Sequence, residues 1–184
     1  MTGVQTCALP ICAYFKSQKY SKSIEYYKKY ITLKPNDNLA YTELASAYNK
    51  VDQYDNSIKC FEKVISLDSS LLNSEHYSTL GRLYVTTNQI GKSVKVFQRA
   101  IKLNPNYSEV YKYLGVVLVF LKQFNEAEEN LKKAISLNSK DLTAHKYLGD
   151  LYKDTKNNYK LAEEIYKKGL KENPKDKDLL TGIA

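Results

Sequence analysis

The chain has 184 residues, of which 43% are hydrophobic and 26% charged, and its formal net charge is +8. This composition predicts a folded protein and provides no apolar run near the roughly 20 residues that a membrane-spanning helix requires. The positive charge suggests nucleic-acid binding, but only Arg82 and Arg99 are arginines. Scattered lysines are typical of a solvated face, and a nucleic-acid site needs them clustered on one side.

The first eleven residues, MTGVQTCALPI, match the translation of a sequencing adapter read from a GTG start codon. We therefore expect residues 1–11 to be a non-native leader that contributes nothing to the fold. The native amino terminus is then missing, so a signal peptide cannot be sought. Cys7 belongs to the leader and the codon of Cys12 begins in it, which leaves Cys60 and excludes a disulfide framework.

After the leader, the dipeptide Leu-Gly recurs every 34 residues, at 80–81, 114–115 and 148–149. A fixed period of this length predicts stacked supersecondary units that bury their apolar faces against one another. The predicted organisation is a partial repeat at 12–37, full repeats at 38–71, 74–107, 108–141 and 142–176, and the start of a further repeat at 177–184.

Apolar residues within each repeat have helical spacing. In repeat 74–107, Tyr77, Leu80 and Tyr84 share one face of a first helix, and Phe97 belongs to a second helix after a short break. Two helices joined by a short loop lie antiparallel. The glycine at mid-helix costs up to about 1 kcal/mol relative to alanine, so we expect a large residue of the partner helix to pack against it. The large residues of the second helices are Phe61, Phe97, Leu131 and Tyr166.

These positions resemble the tetratricopeptide repeat. In repeat 108–141 the family pattern is matched by Tyr111, Leu114, Gly115, Leu118, Ala127, Leu131 and Ala134, with Ser139 in place of the usual proline. The resemblance implies an all-α, right-handed α-solenoid of antiparallel helix pairs. We expect it to be truncated at both ends, because the first repeat lacks its Leu-Gly pair at Pro10 and Ile11 and the last stops after Ala184.

No catalytic or cofactor motif stands out. Seventeen tyrosines suggest a stacking platform for bases, yet twelve of them occupy framework places of the repeat and are expected to pack. The twelve are Tyr14, Tyr20, Tyr27, Tyr41, Tyr48, Tyr54, Tyr77, Tyr84, Tyr111, Tyr152, Tyr159 and Tyr166. His76 and His145 lie in different repeats and do not form a zinc pair. The sequence therefore predicts a chain that is not an enzyme and holds no metal or cofactor.

The resemblance implies that successive first helices line a concave groove whose exposed residues select a ligand. The predicted groove residues are Arg82, Val85, Lys112, Val116, Val119, Phe120 and Lys146. Three of them, Val116, Val119 and Phe120, are apolar where an outer helix face should be polar. They either line the groove or pack against the next repeat.

We predict that the chain is a protein–protein interaction scaffold or adaptor that binds a peptide or partner segment with apolar and acidic residues. The alternative is a regulatory or substrate-recruiting arm of a larger enzyme, such as a glycosyltransferase or a sensor kinase. The family's carboxylate clamp for chaperone tails needs Lys and Asn one turn apart in one repeat, Asn in the next, and Lys and Arg in the third. No three successive repeats supply that set. Specific nucleic-acid binding is not predicted, and the sequence does not indicate an oligomeric state.

Overall fold

The computed structural model describes residues 14–15 and 17–183, so the adapter-like segment 1–11, Cys7 and Cys12 lie outside the described residues. Within the described part, α-helices and one 3₁₀ turn make up the regular structure. The helices are α1 (Tyr20–Leu33), α2 (Asn38–Lys50), α3 (Tyr54–Asp68), α4 (Ser74–Thr86), α5 (Ile90–Leu103), α6 (Ser108–Phe120), α7 (Phe124–Leu137), α8 (Leu142–Lys156), α9 (Tyr159–Glu172) and α10 (Lys177–Ile183).

The helices form antiparallel pairs that share one kind of loop. Between the first and second helix of each pair, one non-glycine residue adopts a left-handed conformation, with φ between 50° and 60°. In four of these loops the next residue donates its amide to the carbonyl five residues earlier, as Gln123 does to Leu118 at 2.9 Å. In the loop after α8, Asn158 donates to Tyr152, six residues earlier. Each of these bonds caps the end of the first helix with backbone groups alone. The left-handed residues are Gln18, Asp52, Asn88, Lys122 and Asn157.

Aspartates begin several of the first helices. The side chain of Asp37 accepts a hydrogen bond from the amide of Ala40 at 3.0 Å, and Asp141 does the same for Ala144 at 3.1 Å. Such caps satisfy an amide that has no partner within the helix, and each contributes about 1 kcal/mol. Short loops followed by capped starts therefore help to set where α2 and α8 begin.

The predicted contact between a mid-helix glycine and a large residue is confirmed. A Cβ atom added to Gly115 would lie 2.7 Å from Cγ of Leu131, so α6 and α7 approach each other more closely than an alanine allows. The ring of Tyr166 on α9 lies against Gly149 of α8 and also against Gly182 of α10. One side chain thus joins three consecutive helices.

The described residues fall into two compact units. The first comprises residues up to 73 together with 86–88. Its core lies where α1, α2 and α3 meet and includes the buried side chains of Tyr27, Leu44 and Phe61. The hydroxyl of Ser57 on α3 donates to the carbonyl oxygen of Ala45 on α2 at 2.7 Å, which fixes how this pair packs.

The second unit comprises residues 74–85 and 89–183. Its core runs through the interfaces of consecutive helices from α4 to α10, with Leu80, Phe97, Leu131 and Leu148 at most 1% exposed. Tyr159, which sequence analysis assigned to the packed framework, is instead 63% exposed, because it is the first residue of α9 and faces solvent. None of the described helices is long and apolar enough to cross a bilayer.

Candidate functional site

The predicted groove residues all lie on first helices of the second unit. α6 packs against α8, the first helix of the following repeat, so their outward side chains form a shared surface. We call this surface, on α4, α6 and α8, the first-helix face. The predicted residues on it are Arg82 and Val85 on α4, Lys112, Val116, Val119 and Phe120 on α6, and Lys146 on α8.

The apolar part of the first-helix face ends in an exposed aromatic ring. Phe120, the last residue of α6, is 69% exposed, whereas Val116 and Val119 are half-buried. The three residues share one helix face by their spacing. Val117 and Leu118 between them are buried in the core. α6 is therefore apolar on both its inner and its outer side, and only Phe120 is largely uncovered.

Lys112 forms an ion pair with the last residue of its repeat, which caps the first helix of the next repeat. Its ammonium lies 2.9 Å from Oδ2 of Asp141, and the two side chains are 17% and 10% exposed. Asp141 is also the residue whose Oδ1 caps α8 through the amide of Ala144. Lys112 therefore steadies the beginning of the next repeat, and its charge is already matched within the chain.

Lys146 also forms an ion pair with a carboxylate of the chain. Its ammonium donates to Oδ2 of Asp150, one turn later on α8, at 2.6 Å. The hydroxyl of Tyr166 donates to the other oxygen of that carboxylate at 2.7 Å. The hydrogen bond to Asp150 is the main cause of the raised pKa of Lys146, and burial opposes it. This network holds Asp150 in a fixed orientation beside the lysine.

Arg82 and Lys112 both lie over one tyrosine ring. The guanidinium carbon of Arg82 is 5.4 Å from the ring centre of Tyr113, and the ammonium of Lys112 is 5.2 Å away. The other ring neighbour is Phe97, stacked at 6.0 Å. Burial, followed by a hydrogen bond to Glu109 at 2.9 Å, raises the pKa of the Tyr113 hydroxyl to about 12. Arg82 itself is exposed, unlike the two lysines of the site.

Two tyrosines of this surface were not among the predicted site residues. Tyr113 and its counterpart one repeat later, Tyr147, do not belong to the twelve framework places. Each has a cation over its ring, which for Tyr147 is Lys146 at 5.5 Å. The sequence held one indication of them: neither tyrosine occupies a framework place, so packing within the repeat does not account for it.

A shallow cavity of about 230 Å³ opens beside Tyr147, between α8 and the start of α10. Its walls combine apolar, aromatic, acidic and basic groups: Leu142, Thr143, Lys146, Tyr147, Asp176 and Asp178. A surface with these walls suits a side chain of a bound polypeptide.

The described residues do not meet the usual requirements of a metal centre or of a cysteine nucleophile. Within the described residues, no three His, Cys, Asp or Glu side chains come together as metal ligands. His145 is buried, with Nδ1 3.0 Å from the carbonyl oxygen of Asp141. Burial raises the pKa of the Cys60 thiol to about 11, which disfavours the nucleophilic thiolate.

Comparison with known sequences gives one consistent match. Profiles of the tetratricopeptide repeat match residues 12–37, 37–106, 96–129 and 118–184. Hsp70-Hsp90 organizing protein 3 of Arabidopsis thaliana is 31% identical over 96 residues, which are 52% of this chain and 17% of the plant protein. The anaphase-promoting complex subunit CDC16 of Saccharomyces cerevisiae is 29% identical over 102 residues, 52% of this chain and 12% of that subunit. The chain thus matches less than a fifth of the length of either relative.

Solved structures give the same result for the fold. MamA superimposes with a TM-score of 0.83 at 25% identity, over 89% of this chain and 94% of MamA. YrrB, a tetratricopeptide protein with an unusual peptide-binding site, superimposes with a TM-score of 0.85 at 21% identity, over 93% of this chain and 87% of YrrB. The predicted all-α solenoid class is confirmed.

Proposed function

The chain belongs to the tetratricopeptide repeat family, and on that premise we propose that it is a protein-interaction scaffold that binds a partner segment on the first-helix face. The observation that carries the proposal is Phe120, an aromatic ring 69% exposed at the end of a helix whose inner side is already buried. Half-buried Val116 and Val119 extend the apolar surface beside it. Apolar side chains in that arrangement suit a helical or extended segment with hydrophobic anchors.

The charged neighbours restrict the chemistry of the partner. Lys112 and Lys146 are paired with Asp141 and Asp150, so their net attraction for another carboxylate is reduced. Arg82 is exposed and presents a planar guanidinium above a ring. We place the partner's acidic residue at Arg82 because its guanidinium is exposed, whereas Lys112 and Lys146 are half-buried. The partner's apolar anchor is placed at Phe120.

Similarity to Hsp70-Hsp90 organizing proteins raises chaperone tails as ligands. The family's clamp needs an asparagine one turn after a groove lysine, and this chain has Val116 after Lys112 and Asp150 after Lys146. The carboxylate of Asp150 binds the lysine that a tail would need. The absence of the clamp's asparagines supports a partner other than an acidic chaperone tail. In our proposal the chain remains a non-enzymatic scaffold.

The enzyme-arm alternative has weaker support. A glycosyltransferase arm would be expected to carry a ladder of asparagines along the groove, and only Asn49 occupies such a place in the sequence. Half-buried Asn49 is the single representative of that pattern.

The test is capture of partners from cells by four purified proteins: wild type, Phe120→Ser, Arg82→Gln and Leu33→Ser. Leu33 is a suitable control because it is 82% exposed and lies on α1, outside the first-helix face. We expect Leu33→Ser to keep the proteins that wild type captures, and Phe120→Ser and Arg82→Gln to lose them. Equal capture by all four proteins would contradict binding on this face.

The chaperone tail gets a separate measurement. We expect a synthetic acidic tail peptide to bind wild type no more tightly than it binds a Lys112→Met variant. Specific binding of the peptide that requires Lys112 would instead support a carboxylate clamp for chaperone tails.

A further inference from the structure

The outer side of α5 carries a row of cations with no acid among them. Lys92, Lys95, Arg99 and Lys102 are all exposed, and the helix contains no Asp or Glu. Their spacing of three, four and three residues places them along one side of the helix. At 1.5 Å per residue, this α5 cation row is about 15 Å long.

The lysine-rich composition of the chain does not explain the α5 cation row. If it did, the equivalent places on the other second helices would be equally basic, yet each of those helices has at most two cations there. These places are Lys22, Glu25, Lys29 and Thr32 on α1; Asn56, Lys59, Lys63 and Ser66 on α3; Glu126, Glu129, Lys133 and Ser136 on α7; and Leu161, Glu164, Lys168 and Lys171 on α9. The row also contains Arg99, one of the two arginines of the chain.

Three of the four cations of the row make no ion pair with any described residue, unlike several lysines on other second helices. Within the described part of the chain, Lys95, Arg99 and Lys102 make no ion pair. On other second helices a glutamate one turn earlier neutralises a lysine. These pairs are Glu25 with Lys29 at 2.7 Å, Glu128 with Lys132 at 2.5 Å, and Glu163 with Lys167 at 2.5 Å.

We propose that the α5 cation row is a second docking surface, which binds an acidic protein segment rich in Asp and Glu. The remaining exposed residues of this side are Gly91, Gln98 and Leu103, so it offers almost no apolar anchor. Attraction must then come from charge, and both ammonium and guanidinium groups bind carboxylates. The surface lies on a second helix and is separate from the first-helix face, so a scaffold could hold two partners at once.

A nucleic acid fits this surface less well. A single strand binds through aromatic side chains on which its bases stack, and the exposed side of α5 presents none. A duplex is wider than one helix of about 10–12 Å. On α7, the second helix of the following repeat, Glu126 and Glu129 stand at the places of Lys92 and Lys95, so a duplex that extended over that helix would meet like charges. An acidic segment one helix wide avoids them.

The experiment uses two fluorescent peptides of about 14 residues, a length that matches α5. One carries four glutamates with the spacing of the cation row, and the other carries glutamines at those places. A duplex DNA of about 20 base pairs is the third probe, and binding is measured by anisotropy at about 50 and about 200 mM salt.

The test variant replaces all four cations of the row by glutamine, a good helix former. The matched control replaces four exposed lysines of α9 by glutamine and so removes the same charge; they are Lys160, Lys167, Lys168 and Lys171. A third variant, with the three lysines of the row changed to arginine, keeps the charge. Circular dichroism confirms that each is folded.

We expect the glutamate peptide to bind wild type, the α9 variant and the arginine variant within about twofold of one another, and the α5 variant about tenfold more weakly. Higher salt should weaken that binding, and Phe120→Ser should leave it unchanged. Equal weakening by the α5 and α9 variants would overturn the proposal, because net charge alone would then explain binding. Tighter binding of the duplex than of the glutamate peptide, lost in the α5 variant, would also overturn it.

Discussion

The ion pair between Lys112 and Asp141 is expected to stabilise the junction between two repeats, and Asp141→Ala tests it. The substitution removes the cap on Ala144, which contributes about 1 kcal/mol. It also leaves the ammonium of Lys112, only 17% exposed, without its carboxylate, which adds about 1–2 kcal/mol. We expect a loss of about 2–3 kcal/mol and, for a chain of this length, a Tm lower by about 5–10 °C.

A double-mutant cycle separates the ion pair from the cap. Lys112→Met removes the pair and keeps the cap, and Asp141→Asn keeps much of the cap and removes the charge. Urea unfolding of both single variants and the double variant should give a coupling energy of about 1–2 kcal/mol. Hydrogen exchange at the amide of Ala144 should accelerate in Asp141→Ala. A coupling energy near zero would refute the reasoning and return Lys112 to the set of cations available to a partner.

Three further outcomes are expected. Lys122 has φ of 59°, so Lys122→Gly should remove the cost of a side chain in the left-handed region and raise the Tm by about 2–4 °C in a thermal scan. Gly149→Ala should lower the free energy of unfolding in urea by about 1–3 kcal/mol, because its Cβ would overlap the buried ring of Tyr166. Gly91→Ala, with no atom within 4 Å of its Cβ, should instead raise it by about 0.5 kcal/mol. Equal effects of the two alanines would contradict the close-approach argument. Burial lowers the pKa of His76, so the unfolded chain takes up the proton first and stability is lost as the pH falls below about 6.5. The fall in urea midpoint between about pH 7.5 and pH 5.5 should therefore be smaller in His76→Gln. An unchanged fall would assign the loss of stability to other groups.

The period of the sequence was sufficient for the fold because the mid-helix glycine of a repeat meets a large residue 16 or 17 positions later. Gly115 meets Leu131 because the second helix returns over the first after a short loop. Ion pairs at a junction have no such rule. Lys112 and Asp141 are 29 residues apart, and their meeting depends on how one repeat stacks on the next. The sequence therefore predicted Lys112 as a binding residue and did not anticipate its partner.

For the aromatic residues, too, the sequence predicted the packing of the ring and not the polar contacts around it. Tyr166 was predicted as the large residue of its second helix, and the structure buries its ring as expected. Its hydroxyl bond to Asp150 was not predicted, since a tyrosine and a phenylalanine at that place fit the framework equally well. Tyr113 and Tyr147 were outside the framework, and only the structure brings cations over their rings.

The ring of Tyr166 affects how the chain can be shortened for experiments. Sequence periodicity offers the end of the repeat at residue 176 as a natural place to cut. The ring, however, lies against Gly182 beyond that place, so a chain cut there would uncover one side of an aromatic core residue. Fragments for partner screening should therefore keep α10, and the smallest soluble module is defined by which rings are covered and not by the repeat length.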